Sequence, residues 1–418
     1  MRVFKFGGAS VKDVTGLENV VSVLRHTGAK DLVIVVSAMG KTTNALEQVV
    51  DTYFENSNST LLTTALEVVR NYHFQIIDQV SLDKKQALFG KIEAFFAEIE
   101  AFLTNNQSSD YDQVYDQLVP YGELLSSTIL QAVLEQQDFA AQWLDIRTIL
   151  KTDSNFREAK VNWKLTEKNF KEHINSGGLY LTQGFIGSYK PSLTTTLGRE
   201  GSDYTAAIIG YCLSAESVTI WKDVPGVLNA DPRYFENATL LSAISYNEAI
   251  ELAFYGASVI HPKTLQPLQQ KGIPLYVKPF LNPAAAGTCI SERDTIEPYS
   301  PCFILKRNEV LIKLSSLDFS FMLEEHLGEV FSLMAEYRVK VDLIQHSAIS
   351  FSLCVDDKFN TVTKMLCALQ NRFKIQVIYG VNLYTIRHFT PEALVKIEVD
   401  KEVLVKQVAG NMAQLVVK

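Results

Sequence analysis

The sequence predicts an α/β protein: an α/β/α sandwich around a mainly parallel sheet, followed by a smaller α+β region of βαββαβ pattern. Three observations carry this expectation. Leu32 to Val36 is an unbroken aliphatic run, as expected for a strand buried on both faces of a parallel sheet. Strand candidates then alternate with helical stretches. Beyond Pro283 the apolar spacing changes to a compact alternation of its own.

The elements follow in order. Val3 to Phe6 is a short β-prone run broken by Gly7 and Gly8, and a helical pattern comes next. Leu32 to Val36 ends in a second small-residue turn, Ser37-Ala38-Met39-Gly40, before a helix carrying Leu46, Val49 and Val50. Residues 60–135 read as mostly helical. Further strands are expected at 140–146, 178–183, 217–221 and 274–278. Ser245 and Glu248 form an S-x-x-E capping box, and Gly256 stops that helix, leaving GASVIHP in the following loop. Pro283 to Gly287, Pro298 and Pro301 mark the exit from a first domain assigned to 1–295.

In the second region Val310 to Leu314 reads as a strand, and Leu327, Val330, Phe331 and Met334 make a helical stripe. Val339 to Ile344 is β-prone, and Ile349, Phe351, Leu353 and Val355 alternate as a strand does. Val362, Met365, Leu366 and Leu369 repeat the helical spacing. This gives a unit at 303–380 and a truncated further β-rich unit at 381–418.

The chain has 418 residues, 47% hydrophobic and 21% charged, an ordinary globular balance. At about 150 residues per domain it holds two or three domains. Its net charge of −8, without a basic tract, argues against a nucleic-acid partner. Cys212, Cys289, Cys302, Cys354 and Cys367 lack C-x-x-C spacing and read as small buried hydrophobes in a reducing compartment. No apolar run near the start approaches the ~20 residues of a membrane span. A cytoplasmic protein without membrane contact is the expectation.

The familiar phosphate motifs fail. No GxGxxG occurs, and Gly40-Lys41-Thr42 lacks the first glycine of a Walker A loop, since residue 35 is valine. Protein-kinase HRD and DFG signatures are missing. KFGG instead puts Lys5 at a strand end with two glycines at the turn, where backbone N–H groups can approach phosphate oxygens. TTTLGREGSDYTAA offers Arg199 as a bidentate carboxylate clamp, with Ser202 and Asp203 opening a helix. Plainer roles exist for each: a solvated lysine, a helix cap at Asp203, a polar loop in WKDVPGVLNADPR. His261, Tyr121 and Trp221 read as structural.

Together KFGGASV, VVSAMGKTTN, YGELLSS, TQGFIG, LGREGSDYTAA, KDVPGVLNADPR, GASVIHP and NPAAAGT stand in the order found in aspartate kinases, and the chain resembles that branch of the amino-acid kinase superfamily over about residues 1–290. The βαββαβ tail resembles an ACT regulatory domain. The resemblance implies ATP and Mg²⁺, the latter held mainly through nucleotide phosphates. It also implies phosphorylation of L-aspartate to 4-phospho-L-aspartate, the first step of lysine, threonine and methionine biosynthesis. It makes Lys5 and Asp203 catalytic, and assigns aspartate to Ser37, Thr43, Glu123, Arg199 and Ser202, with Glu123 taking the α-ammonium. The nucleotide falls to Lys5, Gly7, Gly8, Ala9, Lys222, Asp223, Leu228, Arg233 and Ser258, and no residue to a dedicated metal site. A homodimer through the ACT region is implied too.

Four positions depart from the family pattern. Ala9 replaces a threonine, Leu228 a frequent tyrosine, and Ser258 a lysine for which Lys263 or Lys278 could stand in. Gln345-His346-Ser347-Ala348 lacks the acid of the effector-binding stretch. Two alternatives stay open: another amino-acid or carbamate kinase, and a catalytically weak ligand-sensing protein of kinase and ACT parts.

Overall fold

The aliphatic run Leu32–Val36 lies near the middle of an eight-stranded sheet in the computed structural model, which describes residues 1–55, 59–191, 193–257, 260–293, 296–318 and 320–418. The sheet uses β1 (Arg2–Phe6), β2 (Leu32–Val36), β3 (Gln142–Leu144), β4 (Leu179–Gln183), β7 (Ser217–Lys222), β8 (Ala243–Ser245), β9 (Leu275–Pro279) and β10 (Thr288–Ser291). β5 (Ile186–Lys190) and β6 (Leu193–Thr196) form a separate antiparallel hairpin. The order β3-β4-β2-β1-β7-β9-β10-β8 is parallel throughout except where β10 meets β9. All five residues of β2 are buried, so both faces are covered, as its unbroken aliphatic character requires.

Side-chain alternation along β1 divides its work. Phe4 and Phe6 point to one face and close on Trp221 of β7, Phe4 edge-on at 5.6 Å and Phe6 stacked at 6.3 Å. Trp221 is thereby a packing residue, 1% exposed. Lys5 points to the opposite face, toward the helix Gly201–Leu213 that the site is built on.

The helical stretch at 60–135 resolves into four helices, Ser59–Gln79, Lys85–Asn105, Tyr111–Leu118 and Tyr121–Gln136. The strand expected at 140–146 is shorter: Asp145 caps a helical turn at Ile146–Ile149 and ends it. Ser245 accepts from the Glu248 amide at 3.0 Å and Gly256 takes φ +121, so that helix, Tyr246–Tyr255, has the expected ends. The exit placed near Pro283 falls before the sheet is complete, since β10 still belongs to it.

The chain divides into two compact units. The first comprises Met1–Val227, Leu240–Ile250 and Val259–Ile296; the second comprises Leu228–Thr239, Glu251–Ser258 and Glu297–Lys418. Inside the second, β11 (Cys302–Ser316), β12 (Lys340–Ser347), β13 (Ser350–Asp356), β14 (Phe373–Arg387), β15 (Val403–Ala409) and β16 (Met412–Val417) make one antiparallel sheet, ordered β12-β13-β11-β14-β16-β15. Helices Glu324–Glu336 and Val362–Leu369 bury Val330, Met334, Met365 and Leu369 with Ile312, Leu314 and Leu353. This is the expected βαββαβ unit.

Residue 380 is not a break. Gly380, at φ +71, sits in a bulge where β14 passes β11, and the strand continues to Arg387. The tail also finds the strand it lacks upstream: Cys302 to Lys306 of β11 pair with Leu383 to Arg387, and β16 adds on the other side. Helix Pro391–Glu398 covers that half through Ala393 and Ile397, together with Phe235 and Phe303. All five cysteines are free, but Cys367 is exposed and Cys289 half-buried, against the expectation that all would be buried.

Candidate active site

Parallel pairing brings the chemistry together. Lys5 lies in register with Ile220 of β7 and Val35 of β2, so the carboxyl ends of these strands form one edge. The Gly7-Gly8 turn leaves β1 there, Ser37 follows β2, and Lys222 ends β7. The two small-residue turns touch: the Gly40 amide donates to the Gly8 carbonyl at 3.0 Å. A Cβ on Gly8 would lie 2.5 Å from the Ala38 carbonyl oxygen, so only glycine fits there.

At the centre is a buried ion array. Lys5 Nζ stands 2.6 Å from Asp203 Oδ1, and Lys222 Nζ stands 3.2 Å from Oδ2 of the same carboxylate. Asp203 is wholly buried and Lys5 7% exposed. Burial alone would push the Asp203 pKa up; the Lys5 and Lys222 ammonium groups overcome it and hold the carboxyl below its ordinary value. Its place in the first turn of the helix adds the favourable dipole. Asp203 is therefore not a cap. The N-cap is Glu200, which has no side-chain capping bond.

Glu200 was not picked out from sequence. It adopts the left-handed conformation, φ +55, that a non-glycine residue rarely takes, and its Oε2 lies 4.0 Å from Lys222. Burial and then the Asp203 charge raise its pKa. The sequence signal was present in the G-R-E-G run, where an acid stands between residues that suit a turn.

Glu123 opens the helix Tyr121–Gln136 and is 2% exposed. One oxygen accepts from the Ala38 amide at 3.2 Å, while Oε2 is buried without a hydrogen-bond partner. Burial pushes its pKa up to about 8, against the Ala38 amide, its own amide and the Lys5 charge. A buried carboxylate with an open oxygen is suited to receiving a cationic group.

The remaining sequence-selected residues divide. Ser37 is half-buried, Thr43 lies in the first turn of helix Thr42–Phe54, and Ser202 is 8% exposed beside Asp203. Arg199 is exposed in the turn before helix Gly201–Leu213, with no hydrogen bond or ion pair among the described residues. Ala9 and Asp223 are exposed. Leu228 and Arg233 group with the second unit, and Arg233 forks onto Asp231 of its own loop at 2.6 to 3.0 Å. Ser258 lies outside the described residues. Of the two lysines considered as its stand-in, Lys263 donates to the Leu197 carbonyl at 3.0 Å and sits over the Tyr204 ring, next to the Arg199 turn. Lys278 sits over Tyr276 within β9. His261 caps the helix Pro262–Gln270, and the Tyr121 hydroxyl donates to Glu98.

The model of the amino acid kinase family covers residues 1–279, two-thirds of the chain. The chain belongs to the amino acid kinase family. Aspartokinases are among its relatives. Lysine-sensitive aspartokinase 3 of Escherichia coli is 34% identical, aligned over 86% of this chain and 79% of its own length. Aspartokinase 1 of Arabidopsis thaliana is 32% identical over 85% of this chain and 63% of its own. The chain spans about half, 47%, of a related bifunctional aspartokinase/homoserine dehydrogenase from Buchnera aphidicola. Among solved structures, E. coli aspartokinase III with lysine and aspartate superposes with a TM-score of 0.83 at 29% identity, covering 100% of this chain and 95% of that one. The same enzyme with aspartate and ADP gives 0.80 at 28% identity, covering 100% and 96%.

Proposed function

We propose that this amino acid kinase is an ATP-dependent aspartate kinase, moving the γ-phosphoryl group of ATP onto the β-carboxylate of L-aspartate to give ADP and 4-phospho-L-aspartate. This would be the first step of aspartate-family amino-acid biosynthesis. The carrying observation is the Lys5–Asp203–Lys222 array set beside a second buried acid, Glu123, whose free oxygen suits an ammonium.

The acceptor carboxylate is already a nucleophile, so transfer needs neither a general base nor a covalent enzyme intermediate. The protein's task is positioning and charge neutralisation. Lys5 and Lys222, with the amides of Gly7, Gly8 and Ala9, take the phosphates. Asp203 keeps both ammonium groups aimed at one place. Arg199 takes an aspartate carboxylate, Glu123 its ammonium, and Ser37, Thr43 and Ser202 supply hydroxyls. Asp223, Leu228 and Arg233 belong to the proposed nucleotide loop. Among the described residues no three His, Cys, Asp or Glu side chains are grouped to hold a metal, and Asp203 is already committed to lysines. That donor set fits Mg²⁺ carried by the nucleotide, where it would offset phosphate charge.

The proposal extends to assembly and place. β12 is an edge strand of the second unit's sheet, and Ile344 on it is exposed, as are Leu317, Phe321, Phe331 and Ile349 of the same lobe. An open edge with apolar neighbours supports a homodimer formed through this region. Five unpaired cysteines support a reducing, cytoplasmic setting.

One assay tests the substrate map. ADP release is expected with L-aspartate, not with L-glutamate or carbamate. Glu123 is protonated below about pH 8 in the free site, whereas bound ammonium favours its ionised form. Aspartate binding therefore releases a proton, and KM for aspartate should rise about tenfold per unit as pH falls below 8, levelling above it. A KM flat from pH 6 to 9 would remove Glu123 from the site, and turnover of carbamate instead would refute the substrate.

A further inference from the structure

Asp116 lies in helix Tyr111–Leu118, away from the ion array, and is wholly buried. Its carboxylate is fully used. Oδ2 accepts from the Thr196 amide at 2.8 Å and from the Arg157 amide at 3.0 Å, and Oδ1 accepts from the Thr196 hydroxyl at 2.8 Å. Burial pushes its pKa to about 6 despite those donors, so a buried acid is kept at this point at some cost.

What the three bonds fix is the approach to Arg199. Thr196 is the last residue of β6, three positions before Arg199. Its carbonyl accepts from the Ala159 amide at 3.0 Å, so Asp116 holds its amide and hydroxyl while Ala159 holds its carbonyl. Gly198, at φ +76, then runs against the same segment: a Cβ there would lie 3.1 Å from the Arg157 carbonyl oxygen. Arg157 is itself left-handed, φ +63, a conformation that the Asp116 bond to its amide helps to hold.

The same residue reaches the other wall. The Arg157 guanidinium lies over the Tyr115 ring at 4.2 Å and pairs with Glu47 at 3.1 Å. Glu47 stands one turn beyond Thr43 on helix Thr42–Phe54. One carboxylate thus links the end of β6, the 157–159 segment and, through Arg157, the helix bearing Thr43.

We propose that Asp116 is a positioning residue for the acceptor substrate: it sets the exit of β6 so that Arg199 and Ser202 meet the amino-acid substrate in register with Thr43. This rests on the aspartate kinase reading above. Asp116 is wholly buried and acts through the β6 exit, and its effect falls mainly on the acceptor side, because Lys5 and Lys222 are themselves carried by β1 and β7.

The test is steady-state kinetics on the full chain with both substrates varied. Asp116→Ala strands three donors and should raise KM for aspartate about tenfold, equivalent to about 1.4 kcal/mol, with KM for ATP unchanged within twofold. Asp116→Asn keeps an oxygen for the two amides, and its NH₂ can donate to the Thr196 hydroxyl, so it should stay near wild type. Thr196→Val removes only the hydroxyl bond. It should raise KM for aspartate about threefold, and it remains informative if the alanine variant does not fold. The inference falls if Thr196→Val and any folded Asp116→Ala leave KM for aspartate unchanged, if both KM values rise together, or if Asp116→Asn is as impaired as Asp116→Ala. A wild-type protein without aspartate-dependent turnover would defeat the function reading instead, before any variant is compared.

Discussion

Lys5→Ala is expected to lower kcat by at least about 10²- to 10³-fold, the scale on which a preorganised charge at the transferred group acts. Lys5 is the ammonium held closest to Asp203, at 2.6 Å, at the turn whose amides are proposed to take the phosphates. The fold should survive. Removing one partner of a buried pair is most damaging when the other charge is left alone. Here Lys222 remains 3.2 Å from Asp203 and keeps it compensated. The measurement is kcat per folded molecule, with circular dichroism establishing the folded fraction. A variant retaining more than about a tenth of wild-type kcat would remove Lys5 from the transfer step.

The second large effect is on acceptor affinity. Arg199→Ala should raise KM for aspartate by about 10- to 150-fold, corresponding to one charge-assisted contact, while KM for ATP stays near wild type. The substitution is clean because Arg199 is exposed and makes no hydrogen bond or ion pair among the described residues. Its loss therefore disturbs little of the resting fold. A fall in ATP affinity with aspartate affinity intact would move Arg199 to the nucleotide side.

The parts legible in the sequence are those whose chemistry is local. Lys5 with Gly7-Gly8, and Arg199 with Ser202-Asp203, are short runs at strand and helix ends, where glycines and charged residues stand out from aliphatic neighbours. Glu123 was visible only through family resemblance, since an acid in the first turn of a helix is ordinary. Glu200 stands in a turn-like G-R-E-G run, but its left-handed backbone at φ +55 and its place beside Lys222 follow only from the fold. Asp116 was invisible for a different reason: its partners are 41 and 80 residues away, and only the fold brings them together.

The same distinction explains the fold-level differences. The hairpin β5–β6 escaped because its pattern is mixed, with Ile186 and Gly187 buried on one strand and a run of buried threonines on the other. Gly380 suggested a boundary, but a left-handed glycine serves a bulge as readily as a turn. The tail at 381–418 looked unfinished because its missing strand lies some 80 residues earlier, in the first part of β11.

The identity of the product tests the central claim most directly. With ATP, Mg²⁺, L-aspartate and hydroxylamine, the acyl phosphate formed on the side-chain carboxylate should be trapped as the aspartate β-hydroxamate, in amounts matching the ADP released. Formation of that hydroxamate by the wild-type protein, and its loss in Lys5→Ala, is the predicted result. ADP released without hydroxamate, or a hydroxamate of the α-carboxylate, would contradict the account.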